Sequence, residues 1–90
     1  MPNVRIPVPL RKITNDQEIV SVKGEFVGEV LLFLCARYPE LQERLLDENG
    51  EVRRFINIFI NDEDIRLIQE NATPCKETDE ISIVPAIAGG

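Results

Sequence analysis

An α+β fold, one mixed sheet of four to five strands with a single main helix packed across it, is predicted by three features of the sequence. Two short β-rich runs near the start are joined by a polar turn. A stretch of helical period follows them, and the strongest strand signal of the chain comes after that stretch. One sheet layer covered by one helix is the simplest way for so short a chain to bury an apolar face on each.

The first run alternates Val4, Ile6 and Val8 with Arg5, Pro7 and Pro9, a period of two that predicts a half-buried strand. The prolines weaken it, because they donate nothing to a ladder. Asn15-Asp16 supplies turn chemistry. Ile19, Val20 and Val22 form the second run, stopped at Lys23-Gly24, so the pair reads as a hairpin. Phe26, Val27, Val30, Leu31, Leu34 and Cys35 then recur at spacings of three and four, predicting an amphipathic helix over 25–38. It stops before Pro39, whose ring pushes the preceding residue out of helical geometry. Gly28 costs this helix up to ~1 kcal/mol relative to Ala, a cost that close packing on the sheet would explain. Pro39 suits the first turn of a short second helix with Leu41, Leu45 and Leu46 on its apolar face.

Residues 55–60 (Phe, Ile, Asn, Ile, Phe, Ile) are the strongest strand. Asn61-Asp62-Glu63-Asp64 turns the chain, 65–68 reads as a short strand, 71–79 as loop, and Ile81 and Ile83 alternate with Ser82 and Val84 in a final strand. This ββαββ order is the β-grasp, or ubiquitin-like, arrangement. Residues 1–85 are expected to form that domain and 86–90 a flexible tail. Side-chain parity adds a prediction. If Val4, Ile6, Val8, Ile56, Ile58, Ile60, Ile81 and Ile83 face the helix, then Pro7, Phe55, Phe59 and Val84 lie on the opposite face. Such an apolar patch, with two aromatics on one strand, is a candidate protein contact.

Composition narrows the function. The 90 residues carry 16 acidic and 10 basic side chains, a net charge of −6, where a nucleic-acid binder usually has the opposite balance. An acidic domain is steered toward a basic partner surface instead. The absence of His excludes imidazole catalysis and His-ligated metals. Cys35 and Cys75 match no metal spacing and read as free thiols behaving as small hydrophobes. Two cysteines are also too few for a β-grasp iron–sulfur cluster, which wants four. The Asp62-Glu63-Asp64 run lacks the glycine and closing glutamate of a calcium loop. Arg5 and Pro7 interrupt any leader-like apolar stretch, and no run approaches the ~20 apolar residues of a membrane span, so a cytoplasmic protein is expected.

The last residues, Ala86-Ile87-Ala88-Gly89-Gly90, carry the functional signal. Two glycines stand together at a chosen place by chance in roughly 0.5% of chains. Here they follow directly on a predicted strand. Five residues reach at most ~16–18 Å when extended, enough to thread a narrow channel. A carboxylate is a poor electrophile until activated, for example as an acyl-adenylate. An unhindered glycyl carbonyl is then open to a sulfur or nitrogen nucleophile, and missing side chains let a partner's backbone approach closely.

The ending Val84-Pro85-Ala86-Ile87-Ala88-Gly89-Gly90 resembles the C-terminus of the MoaD/ThiS family of sulfur carriers. Pro9-Leu10-Arg11 is similar to the same family's strand exit, and Asp79-Glu80-Ile81 to its lead into the last strand. The segment from Phe55 through Asn61-Asp62-Glu63-Asp64-Ile65-Arg66 resembles the middle of the carrier that supplies sulfur for cysteine synthesis. The resemblance implies a co-substrate rather than an enzyme, with no cofactor bound by the domain itself. An E1-like enzyme would spend ATP to adenylate Gly90, a sulfur donor would convert the adenylate to a thiocarboxylate, and a second enzyme would take the sulfur. That acceptor would be a cysteine synthase or the large subunit of molybdopterin synthase, thiazole synthase being the acceptor in the thiamine branch. Gly90 would carry the sulfur, with Gly89, Ala88 and Ile87 clearing its path. Pro7 and Val84 fall where the molybdopterin carrier has contact-face aromatics, which this chain lacks. Two other readings stand beside it: a ubiquitin-like modifier joined to lysines, and a non-covalent β-grasp interaction module.

Overall fold

The computed structural model describes residues 1–86, so most of the predicted tail, Ile87 to Gly90, lies outside the described residues. Strand β1 (Asn3–Arg5) pairs antiparallel with β2 (Ile19–Ser21), forming the predicted hairpin. Helices α1 (Val27–Arg37) and α2 (Pro39–Leu45) follow, the second opening on Pro39 as expected. Strand β3 (Ile56–Ile60), the two-residue β4 (Glu63–Asp64) and β5 (Glu80–Pro85) complete a five-stranded sheet of order β2-β1-β5-β3-β4. β5 lies in the middle, parallel to β1 and antiparallel to β3. No helix among the described residues is long and apolar enough to cross a membrane.

Parity decides the core. Val4, Ile6, Ile56, Ile58, Ile60, Ile81 and Ile83 are buried against Val27, Val30, Leu31, Leu34 and Cys35 of α1. Leu41, Leu45 and Leu46 close the side of that core. An isolated helix of 11 residues is marginal in water, so α1 depends on this packing.

Its start is also clasped. The Val27 N–H donates to the Thr73 carbonyl at 2.9 Å, and the Cys75 N–H to the Glu25 carbonyl at 3.0 Å. Glu29 reaches back to accept the Glu25 N–H at 2.8 Å. Gly24 makes the approach feasible. A Cβ there would lie 2.5 Å from Val30 Cγ2 and 2.9 Å from the Val30 nitrogen, at a φ of +154°.

Four expectations are corrected. Val8 does not continue β1 toward the helix; it is 69% exposed in a 3-10 turn (Val8–Leu10). The Leu10 N–H bonds back to the Pro7 carbonyl, and Leu10 enters the core instead. Pro7 and Pro9, unable to donate, favour leaving the ladder here. Residues 65–68 are not a strand. Asp64 caps a 3-10 helix (Ile65–Leu67) by accepting the Arg66 N–H at 2.9 Å, so the pairing ends at Asp64. Phe26 is the N-cap of α1 and is exposed, pairing with Pro74 in an isolated bridge. Gly28 packs against Asn71 rather than the sheet: a Cβ there would lie 3.0 Å from the Asn71 carbonyl oxygen.

The β3–β4 turn is tighter than predicted. Asn61 and Asp62 take φ values of 48° and 72°, left-handed conformations that Asn and Asp tolerate in two-residue hairpins. Asn61 then locks onto the start of β5. Its amide donates to Asp79 Oδ1 at 2.8 Å, and its side-chain oxygen accepts the Glu80 N–H at 3.0 Å. The Lys76 N–H reaches Asp79 Oδ2 at 2.7 Å. These donors, the Lys76 N–H first, hold the Asp79 carboxyl below the usual carboxylate range. A depressed carboxyl contributes stability that is complete above its unfolded value of ~3.9 and is lost as pH falls through the lower folded value. Asp79→Asn is therefore expected to lower the melting temperature at pH 7 and to flatten its fall below about pH 4, measured by thermal denaturation across pH.

Candidate functional site

The chain leaves the sheet at the end of β5, beside the start of β3. The last described ladder bond runs from the Ala86 N–H to the Phe55 carbonyl at 2.6 Å. Everything predicted for Ile87, Ala88, Gly89 and Gly90 begins one residue beyond it and lies outside the described residues. The tail thus departs from the middle strand of the sheet, and the surface around its root is the outer sheet face, opposite α1.

Pro7, Phe59 and Val84 do come together on that face, in an open hollow of about 410 Å³. Register explains the meeting. Phe59 stands opposite Ser82, Asn57 opposite Val84, and Arg5 pairs with Ser82 from the other side. Side chains at alternate positions of three adjacent strands share one face. Val84 is 42% exposed and Phe59 half-buried. Phe55, 51% exposed, does not line the hollow; it sits apart, at the rung from which the tail departs.

The rim is charged. Arg5 donates to Glu18 at 2.9 Å and to Glu80 at 3.2 Å, which keeps its guanidinium over the β1–β5 seam. Arg11 donates from Nε to the Ile6 carbonyl at 3.0 Å, pinning the turn that carries Pro7. Asp62 closes the edge beside Phe59. Arg66, held by Asp64 at 2.8 Å and by the Asn57 amide oxygen, stands at the β3 border. An apolar centre with a polar, solvated rim is the anatomy of a docking surface. Arg5, Ser82, Arg11 and Asp62 were not among the residues predicted for it. Parity marks Arg5 and Ser82, since they share the face of Pro7 and Val84. No local pattern marks Arg11 or Asp62.

The thiols take no part in this face. Cys35 is buried on the inner side of α1, and burial pushes its thiol up to about 11. Cys75 is raised by burial first and by the charges of Asp79 and Glu29 after that. Among the described residues no group of His, Cys, Asp and Glu could hold a metal ion.

A mixed sheet with its exit strand in the middle, grasping one main helix, defines a ubiquitin-like β-grasp protein. The model of the ThiS family matches residues 4–90, and the chain belongs to that family. It is 43% identical over 89 residues to the sulfur carrier protein CysO of Mycobacterium tuberculosis, covering 97% of this chain and 96% of that one. It is 38% identical over 89 residues to the small archaeal modifier protein 3 of Haloferax volcanii, covering 90% and 96%. A chain in the crystal structure of the Amycolatopsis orientalis BexX/CysO complex superposes with a TM-score of 0.91 at 36% identity, each chain covered in full. The sulfur-carrier reading and the β-grasp reading of the sequence are borne out by these likenesses.

Reduced thiols shielded in this way react slowly, because the thiolate is the reactive form. The folded protein is expected to react with a disulfide reagent at pH 7.5 at least ~100-fold more slowly than the urea-unfolded chain. Two thiols titrating at the unfolded rate would contradict the burial described.

Proposed function

We propose that this protein carries sulfur as a thiocarboxylate on Gly90 and acts as a co-substrate rather than a catalyst. The observation that carries the reading is the family match that runs through Gly90, together with 43% identity to a sulfur carrier over nearly the whole chain. On an E1-like enzyme the Gly90 carboxylate attacks the α-phosphorus of ATP and expels pyrophosphate, giving an acyl-adenylate, and AMP then leaves as a sulfide-level nucleophile attacks the carbonyl. Residues 86–90 thread the enzyme while Gly89 removes steric hindrance next to the reacting carbon. The outer face around Pro7, Phe59 and Val84 docks the enzyme, and Phe55 supports the tail root. The central segment favours a cysteine synthase as acceptor over the molybdopterin synthase large subunit. Two free, buried cysteines suit the reducing cytoplasm.

A second reading, conjugation to protein lysines, uses the same activated Gly90 and is favoured by the 38% identity to an archaeal modifier.

Intact-mass and tail-fragment spectra of the protein from its native cell, paired with a thiocarboxylate-selective reagent, test the first reading. Sulfur in place of oxygen at Gly90 is expected. A plain carboxylate accompanied by lysine conjugates would transfer the function to the modifier reading. Deleting Gly90, or adding one residue after it, is expected to abolish adenylation with an unchanged melting temperature; normal adenylation of either variant overturns the mechanism. Val84→Asp buries an unpaired charge in the docking contact and is expected to weaken the complex with the activating enzyme by about 2 kcal/mol or more, measured by calorimetry.

A further inference from the structure

A second hollow lies at the other end of the sheet, between the β2 edge and the exposed side of α1. It measures about 250 Å³ and is lined by Met1, Ser21, Val22, Lys23, Phe33 and Arg37. β5 begins beside Asn3, which also pairs with Ser21, and the tail departs after Pro85. Five residues of strand separate the two ends by about 17 Å. This hollow therefore lies toward the opposite end of the strands from the tail root.

Its chemistry differs from that of the rest of the surface. Lys23 and Arg37 line it and, among the described residues, no carboxylate does, although the chain carries a net charge of −6. The docking hollow includes Asp62, and a third, beside the 51–54 segment, includes Glu51 and Glu70. The Lys23 ammonium stands 4.9 Å from the centre of the Phe33 ring, a cation–π arrangement. Phe33 itself is 39% exposed, and its neighbour Leu32 is exposed too.

The backbone is also available. The Ile6 N–H bonds to Glu18 and the Val22 N–H to Pro2, so the even residues of β2 face β1. The polar groups of Ile19 and Ser21 alternate to the outer edge. Arg37 donates to the Ser21 carbonyl at 3.1 Å, which marks that carbonyl as edge-facing. An extended segment laid along this edge meets ladder donors and acceptors, an apolar hollow and two cations.

We propose that the β2–α1 hollow docks an extended acidic segment of a partner protein, with an aliphatic side chain against Phe33 and carboxylates on Lys23 and Arg37. Charge complementarity argues for an acidic occupant, since Lys23 and Arg37 are the charged residues lining the hollow among the described residues. The site works independently of the tail, so one carrier holds an acidic partner while its C-terminus is engaged elsewhere.

The probe is a capped heptapeptide of sequence Glu-Glu-Ile-Val-Ile-Glu-Glu, titrated into isotope-labelled protein and followed by amide NMR. Shifts confined to residues 19–23 and 33–37 are expected, with affinity falling as salt rises. Lys23→Glu, which also removes the cation–π contact with Phe33, is expected to weaken binding about tenfold with only a small fall in melting temperature. The full-length chain and one lacking Gly90 should bind the peptide alike, which separates this test from that of the sulfur reading. Shifts centred on Phe59 and Val84, equal binding of the peptide with Lys in place of Glu, or no shifts at millimolar peptide would each overturn the proposal.

Discussion

The burial of Ile81 and Ile83 beneath α1 is the constraint on which the rest of the structure depends. Both belong to β5, the central strand, laddered to β1 on one side and to β3 on the other. Because side chains alternate along a strand, placing these two inward places Ser82 and Val84 outward, and a slip of one residue would invert every position. The same constraint sets the register of β1 and β3 against β5, and so decides which residues surround the departing tail. The outer face proposed for docking is in this sense the reverse side of the core.

Local polar chemistry then holds the strands at that register. Asn61 turns the chain in a left-handed conformation and ties the end of β3 to the lead into β5 through Asp79 and Glu80. Arg5 spans the neighbouring seam between Glu18 and Glu80. Exposed pairs of this kind contribute little stability each, but they restrict the geometry of the face they border. The clasp of α1 by Thr73 and Cys75 does the same for the opposite side of the sheet. A domain whose central strand leads into a glycine-ended tail is well suited to presenting a carboxylate to another protein. The β2–α1 hollow lies toward the other end of the strands.

The helix, the hairpin, the long β3 and the final strand were legible because their periods are strong and their buried residues are mostly aliphatic. The errors fell where one residue's backbone chemistry outweighs the pattern. Pro7 and Pro9 break an alternation that otherwise reads through Val8. The Asp64 carboxylate captures the Arg66 N–H and converts an apolar run into a 3-10 turn. Gly28 was rightly suspected of close packing, but its neighbour, Asn71, is 43 positions away and belongs to a segment without periodic signal. Of the predicted docking residues, Pro7, Phe59 and Val84 share a hollow while Phe55 stands at its own rung. Parity alone does not say how far along the sheet two residues lie from one another.

The sequence by itself determined the class of fold, the face each strand residue takes and the chemistry of the Gly-Gly ending, because these rest on short-range periodicity and on residue type. Only the tertiary structure decided that β5 is central, that Arg5, Arg11 and Asp62 rim the hollow over Ser82, and that Lys23, Phe33 and Arg37 meet in one hollow beside β2. Those facts depend on strand order and register, which arise when segments far apart in the chain bury a common face, and no local stretch of residues encodes them alone.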